Sequence, residues 1–93
     1  MCGIACFFYK SSFSVELAKK AVERMCSYMV LRGPDCGGIW SGCGLVLGHR
    51  RLSILDIDNR AAQPMHSGCG RYVIVFNGEV YNFKALRSDL QRK

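Results

Sequence analysis

The sequence predicts an α+β fold in which helices pack on one face of an antiparallel sheet. Two observations predict it. The predicted elements follow the order strand, helix, several strands, helix, which is typical of α+β domains, and both predicted helices carry a single apolar stripe. The length of 93 residues allows one small domain at most.

The first elements are a strand and a helix. Residues 3–9 are almost continuously apolar and end in aromatic side chains, as in a short buried strand. Ser14 is suited to an N-cap, and Glu16 would lie in the first helical turn. Gly33-Pro34 should end the helix. The helical stripe consists of Val15, Ala18, Val22, Met25 and Met29.

The rest of the chain alternates between strand-like segments and glycine-rich turns. Gly42 and Gly44 predict a hairpin turn around Cys43. Residues 71–76 form the clearest strand pattern, and Asn82 could cap a last helix with an apolar inner face. The other expectations are strands at 39–40 and 45–49, an extended segment at 52–56 and a loop at 58–70. The inner face of the last helix would carry Phe83, Leu86 and Leu90.

Composition excludes several classes of protein. No apolar run is long enough to cross a membrane, and no secretory signal follows Met1, so we expect a cytoplasmic protein. In that compartment the six cysteines should be reduced thiols, and no CxxC spacing predicts a zinc site. The net charge of +6 is scattered along the chain, which favours solvated surface charge over a specific nucleic-acid site.

Cys2 is the residue with the most distinctive chemical setting. Removal of Met1 would leave its thiol and a free α-amine on the same residue. A thiol attacks as the thiolate, and an amine with a near-neutral pKa can accept its proton. An ordinary buried thiol at the start of a strand is the alternative interpretation of Cys2 taken alone.

Four further segments, together with the opening Cys2-Gly3-Ile4, closely resemble a known family. They are residues 32–35 (RGPD), 48–54 (GHRRLSI), 63–65 (QPM) and 76–82 (FNGEVYN). In this order they resemble the class II glutamine amidotransferase domain, an N-terminal-nucleophile hydrolase. The amino-acid sequences of these segments are most similar to those in the glutaminase domain of glutamine-hydrolysing asparagine synthetase. The resemblance covers residues 1–93 and implies the N-terminal part of an αββα sandwich.

The resemblance implies catalytic roles for Cys2, Asn77 and Gly78. Cys2 would attack the γ-carboxamide of glutamine, form a thioester and release ammonia, with its own amine as the base. The Asn77 amide and the Gly78 N–H would form the oxyanion hole. Alone, Asn77-Gly78 would indicate a hairpin turn.

The resemblance also implies a substrate-binding set. Arg51 would bind the glutamine α-carboxylate in a bidentate manner, although neighbouring Arg50 could do the same by chemistry alone. Backbone groups of Leu52 and Ile54 would flank the substrate, and Glu79 would receive its ammonium. For Glu79, a solvated loop carboxylate is the alternative.

The remaining reactive residues are expected to be structural. Arg32 and Asp35 would anchor a loop, and His49 would be a packing residue. The other thiols, expected to be inert, are Cys6, Cys26, Cys36, Cys43 and Cys69.

The family domain is longer than this chain, so the sequence resembles a fragment or a shortened member. The expected partners are glutamine and a synthetase domain or subunit that receives ammonia. No cofactor is expected in this segment, and ATP and Mg²⁺ would belong to a synthetase domain. Exposed apolar strand faces would favour homo-oligomers or aggregation. A non-catalytic binding or regulatory remnant is the alternative function.

Overall fold

The computed structural model describes residues 2–52 and 62–93. The elements are β1 (Gly3–Phe8), α1 (Val15–Ser27), β2 (Cys36–Gly42), β3 (Leu45–Arg51), β4 (Met65–His66), β5 (Val73–Ile74) and α2 (Phe83–Gln91). The predicted α+β class is confirmed. The extended segment predicted at 52–56 falls almost entirely outside the described residues.

The described part of the main sheet contains three strands in the order β1-β3-β2, and both pairings are antiparallel. A two-residue turn joins β2 to β3, with positive φ angles of 53° at Cys43 and 76° at Gly44. Two successive positive φ angles are typical of a type I′ turn, whose twist matches that of the flanking strands. The predicted hairpin turn and the predicted antiparallel sheet are therefore confirmed.

Helix α1 packs on one face of this sheet and forms the core with it. Its N-terminus has the predicted cap, because Ser14 Oγ accepts a hydrogen bond from the Leu17 N–H at 3.4 Å. The buried residues of α1 are Ala18, Val22 and Cys26, so its inner stripe includes a cysteine instead of Met25. Gly48 of β3 permits this close packing, because a Cβ there would lie 2.6 Å from atoms of both Val22 and Cys26.

The end of α1 comes earlier than the sequence predicts. The helix stops at Ser27, and hydrogen bonds between residues three and four apart continue as turns up to Gly33. Gly33-Pro34 therefore ends the turns and not the helix. Such tightened turns satisfy carbonyl groups that the last helical turn leaves open.

A second, smaller sheet is formed by β4 and β5, paired antiparallel over two residues each. The strand predicted at 71–76 is therefore much shorter than expected. The Phe76 N–H donates to Gln63 Oε1, and the Tyr72 N–H donates to Ser67 Oγ at 3.1 Å. Side chains thus accept hydrogen bonds that a longer ladder would have used.

This second segment lies on the face of the main sheet opposite α1. Gly38 of β2 contacts the backbone of Gln63 so closely that a Cβ would not fit. The rings of Trp40 and His66 meet edge to face at 6.3 Å between centroids. Helix, main sheet and second segment therefore form successive layers, as expected for part of a sandwich.

Helix α2 forms where the sequence predicts it but does not pack beside α1. None of its residues is buried, and its apolar side chains Phe83, Leu86 and Leu90 are exposed. Its N-cap Asn82 makes no side-chain capping bond. Within the described residues, the expectation that both helices cover one sheet face is met by α1 alone, because α1 packs on β1, β2 and β3 whereas no residue of α2 is buried.

Candidate active site

The pairing of β1 with β3 brings the predicted nucleophile to the end of β3. Gly3 pairs with Arg50, so Cys2 lies one residue further along the same register, next to Arg51. The Leu52 N–H donates a hydrogen bond to Cys2 Sγ at 3.4 Å, and the thiol lies 3.8 Å from the Leu52 carbonyl oxygen. Three residues predicted for the site, Cys2, Arg51 and Leu52, are therefore adjacent.

Alternation along the strands determines which side chains share the face of Cys2. Side chains of successive strand residues point to opposite faces. Gly3 and Gly48 face α1, since added Cβ atoms would meet Met29 and Val22 respectively. Cys2, His49 and Arg51 therefore belong to the opposite face of the sheet.

The two adjacent arginines lie on opposite faces of the main sheet. Arg50 extends on the helix side, where its Nε donates to the Gly33 carbonyl oxygen at 2.9 Å and its Nη2 donates to that of Pro34 at 3.5 Å. Arg51 is 7% exposed and lies on the Cys2 face. This geometry favours Arg51 over Arg50 as the substrate arginine.

The loop before β2 closes around Cys2 from another side. Arg32 Nε donates to the Cys2 carbonyl oxygen at 3.5 Å. The Asp35 N–H donates to the Arg51 carbonyl oxygen at 3.0 Å. These bonds support the expected anchoring role of Arg32 and Asp35, because they hold the loop against the ends of β1 and β3.

The segment carrying the predicted oxyanion hole is attached to β3 through His49. The carbonyl oxygen of Phe76 lies 3.3 Å from His49 Nε2, and Asn77 follows directly. Asn77, Gly78 and Glu79 are exposed. Within residues 2–52 and 62–93, no hydrogen bond joins these three residues to Cys2.

His49, expected to be a packing residue, is buried and also takes part in a hydrogen bond that the sequence analysis did not predict. It is 1% exposed, and burial lowers the pKa of its imidazole, with the Arg51 charge acting in the same direction. A carbonyl oxygen only accepts, so Nε2 carries the proton. The signal was present in the sequence, since the alternation of β3 puts residues 49 and 51 on one face.

The thiols other than Cys2 differ in their burial and in the direction in which their pKa is shifted. Burial raises the pKa of Cys26, which lies in the core, and this supports the prediction that its thiol is inert. A hydrogen bond from the Ser67 hydroxyl, at 3.4 Å from its sulfur, lowers the pKa of exposed Cys69. An exposed thiol with a lowered pKa forms the reactive thiolate more readily, so Cys69 is a necessary control for the modification of Cys2.

A groove of about 450 Å³ opens on the helix side of the sheet, between α1 and β2. Cys26, Val30, Ile39 and Arg50 contribute to its walls, and Cys2 does not. His49 also contributes to its walls, so the groove reaches the residue that bonds to Phe76. The described part of the chain contains no helix capable of crossing a membrane and no cluster of residues suited to a metal ion.

Comparison with known proteins identifies the family. The sequence model of the protein family described as a glutamine amidotransferase domain matches residues 1–93, which is the whole chain. The chain belongs to the glutamine amidotransferase domain family. The resemblance inferred from the five segments is thus confirmed.

Individual relatives of this amidotransferase domain are asparagine synthetases. Asparagine synthetase B (glutamine-hydrolyzing) of Escherichia coli (strain K12) is 43% identical over 96% of the chain. Glutamine-hydrolyzing asparagine synthetase 1 of Bacillus subtilis (strain 168) is 36% identical over 100% of the chain. A probable asparagine synthetase of Dictyostelium discoideum is 37% identical over 97% of the chain. The chain spans only 15–16% of the length of these relatives.

The roles of individual site residues remain predictions. Ile54 lies outside the described residues. Cys2, Arg51 and Leu52 are together at the end of β3, whereas within residues 2–52 and 62–93 the hydrogen bond that connects the segment of Asn77, Gly78 and Glu79 to this strand is that between His49 and Phe76.

Proposed function

We propose that this amidotransferase domain hydrolyses glutamine to glutamate and ammonia through a thioester on Cys2. The observation that carries the proposal is the contact of Cys2 Sγ with the Leu52 N–H beside buried Arg51, in a chain whose whole length matches the family. An N–H donor directed at sulfur stabilises negative charge there as a thiolate forms.

Substrate recognition is assigned to the Cys2 face of the sheet. The Arg51 guanidinium would bind the α-carboxylate of glutamine, since its fork of N–H groups matches a carboxylate. Backbone groups of Leu52 and Ile54 would flank the substrate. Exposed Glu79 would accept hydrogen bonds from the α-ammonium once the substrate is bound.

The proposed chemical steps use Cys2, Asn77 and Gly78 of this chain together with glutamine and water. With Met1 removed, the Cys2 amine accepts the thiol proton, and Sγ forms a bond to the amide carbon. Asn77 and Gly78 would donate hydrogen bonds to the resulting oxyanion. The C–N bond then breaks, ammonia leaves with the proton, and water hydrolyses the C–S bond to give glutamate and the free thiol.

The proposal also includes the protein that receives the ammonia. The relatives named above are glutamine-hydrolyzing asparagine synthetases. We therefore propose that a synthetase domain or subunit receives the ammonia and that ATP and Mg²⁺ act there.

A non-catalytic remnant is the second candidate, and one observation favours it for the 93 residues taken alone. Asn77 and Glu79 are exposed, and neither is bonded to Cys2 in the described part of the chain. A binding or regulatory module would need no such connection. The state of the N-terminus separates the two candidates, because retained Met1 blocks the proposed base.

The proposal is tested in the complete gene product with an untagged N-terminus. Mass spectrometry should show that Met1 is absent, and a glutamine-mimicking diazoketone should alkylate Cys2. Cys2→Ser should abolish both alkylation and glutamate release, because an alcohol ionises far less readily than a thiol. Cys6→Ser, on the same face of β1, and Cys69→Ser serve as matched controls and should retain activity. Glutaminase activity that survives Cys2→Ser would refute the mechanism.

A further inference from the structure

The His49 side chain joins the main sheet to the segment that precedes Asn77. It is 1% exposed, its Nε2 lies 3.3 Å from the Phe76 carbonyl oxygen, and its Nδ1 has no hydrogen-bond partner within the described residues. A buried histidine with a single hydrogen bond depends on that bond to satisfy its polarity. The bond to Phe76 is therefore the defining interaction of this side chain.

Phe76 is held by side chains from two directions. Its carbonyl accepts from His49, and its N–H donates to Gln63 Oε1. The ladder between β4 and β5 ends before it, at Ile74. Both backbone polar groups of Phe76 are thus bound by side chains and not by a neighbouring strand, so these two side chains determine where the strand end lies.

Residues of strand β3, or directly after it, contact Cys2 and the segment that carries Asn77 and Gly78. Arg51 lies at its end, Leu52 contacts Cys2 Sγ, and His49 holds the residue before Asn77. The His49 bond is the connection through which β3 positions Asn77 and Gly78 relative to Cys2.

A role for His49 as the general base does not fit this environment. Its Nε2 proton is directed at a carbonyl group, and its Nδ1 is buried. Burial also favours the neutral imidazole, with Arg51 adding to the effect. A neutral ring with a fixed Nε2–H is a donor that positions a backbone group.

We propose that His49 is a positioning residue for the oxyanion hole: its Nε2–H holds the Phe76 carbonyl and thereby fixes Asn77 and Gly78 with respect to β3. This inference rests on the proposed function, because it concerns the same hydrolysis of glutamine. Displacements of about 1 Å at catalytic groups lower rates by about 10²-fold. Loss of the bond should therefore reduce kcat about 10- to 100-fold, with little change in KM.

The test compares His49→Met, which removes the donor at similar volume, with His49→Gln. A glutamine amide nitrogen lies three bonds from Cβ, as does histidine Nε2, so it can donate from a similar position. His49→Met should lower kcat, and His49→Gln should recover a large part of it. His66→Met is the matched control, since His66 is exposed on β4. It should leave kcat unchanged.

A double-mutant cycle with Asn77→Ala tests the mechanism of the effect. If His49 acts by placing Asn77, His49→Met should lower kcat much less in the Asn77→Ala background than in the wild type. Additive effects of the two substitutions, or an unchanged kcat in His49→Met, would overturn the inference. So would a failure of His49→Gln to restore activity while the protein keeps wild-type thermal stability.

Two further measurements separate this inference from the proposed function. Cys2→Ser decides the nucleophile independently of His49. Hydrogen exchange of the Phe76 amide, which donates to Gln63 Oε1, requires no activity, and it should accelerate at least tenfold in His49→Met but not in His66→Met. Unchanged exchange would refute the positioning role even if Cys2 is essential, whereas accelerated exchange in a protein without Cys2-dependent hydrolysis would refute the proposed function alone.

Discussion

The backbone N–H of Leu52 donates a hydrogen bond to the sulfur of Cys2 over 3.4 Å. The two residues are 50 positions apart in the sequence, and the antiparallel pairing of β1 with β3 brings them together. The donor belongs to the backbone, so most substitutions at position 52 leave it in place and only proline removes it.

Leu52→Pro should therefore slow the alkylation of Cys2. A hydrogen bond to a charged group contributes about 1.5–3 kcal/mol, so we expect the rate to fall about tenfold or more. Leu52→Ala is the matched control, because it shortens the side chain and keeps the N–H. The measurement is the rate of Cys2 modification by a glutamine-like diazoketone. Equal rates for the two variants would show that the N–H has no influence on the sulfur.

Asn77→Ala should lower the turnover of glutamine hydrolysis. Removal of one oxyanion-hole donor typically lowers kcat about 10²–10³-fold. Asn82→Ala is a suitable control, because Asn82 is exposed and makes no capping hydrogen bond through its side chain. Steady-state release of glutamate measures both variants. Wild-type turnover in Asn77→Ala would remove Asn77 from the site.

Arg51→Lys should raise KM for glutamine, because lysine lacks the planar fork that binds a carboxylate at two points. We expect an increase of about tenfold or more, from the loss of one charge-assisted hydrogen bond. Arg50→Lys should leave KM near its wild-type value and lower thermal stability instead, because Arg50 donates to the carbonyl groups of Gly33 and Pro34. The opposite pattern would assign the carboxylate to Arg50.

Gly48→Ala should destabilise the packing of α1 on the sheet. A methyl group at this position would lie 2.6 Å from Cys26 Sγ and from a Val22 methyl carbon. Overpacking of this kind lowers the free energy of unfolding by about 1–3 kcal/mol. Gly68→Ala is the control, since a Cβ there meets no atom within 4 Å. Chemical denaturation compares the two, and equal midpoints would contradict the tight contact.

The stability of the domain should depend on pH through His49. Burial lowers the pKa of this imidazole below its ordinary value of 6.5, so below that pH the unfolded chain binds a proton that the folded chain does not. The stabilisation is present above the unfolded pKa and is lost as the pH falls through the folded pKa. The free energy of unfolding should thus decrease below about pH 6.5.

In His49→Met this part of the pH dependence should disappear, and in His66→Met it should persist. Denaturant titrations at a series of pH values provide the measurement. An identical pH dependence in His49→Met and the wild type would show that His49 titrates alike in the folded and unfolded chain.

Local patterns were sufficient to predict the first strand, the start of α1 at its Ser14 cap, the β2–β3 hairpin and the helix after Asn82. Each depends on neighbouring residues, such as a hydroxyl before a helix or glycine at a positive φ. The family and its motif residues could also be predicted from the five segments and their order in the sequence. These features need no knowledge of distant contacts.

Long-range packing determined the rest. The segment around Val73 has the composition of a full strand, yet the partner that pairs with it in residues 2–52 and 62–93 is only two residues long. Likewise, the stripe of α2 predicts a packed helix, but none of the residues of α2 is buried by the described part of the chain. A pattern states which face of an element is apolar, and only the fold supplies the surface that covers it.

The site shows the same division between sequence and structure. The sequence by itself determined that a cysteine follows Met1 and that two arginines stand next to each other. Only the tertiary structure decided that Arg50 bonds to the loop at Gly33 while Arg51 shares a face with Cys2. The physical reason is that pairing register and strand alternation assign each side chain to one face, and the register depends on residues about 50 positions apart.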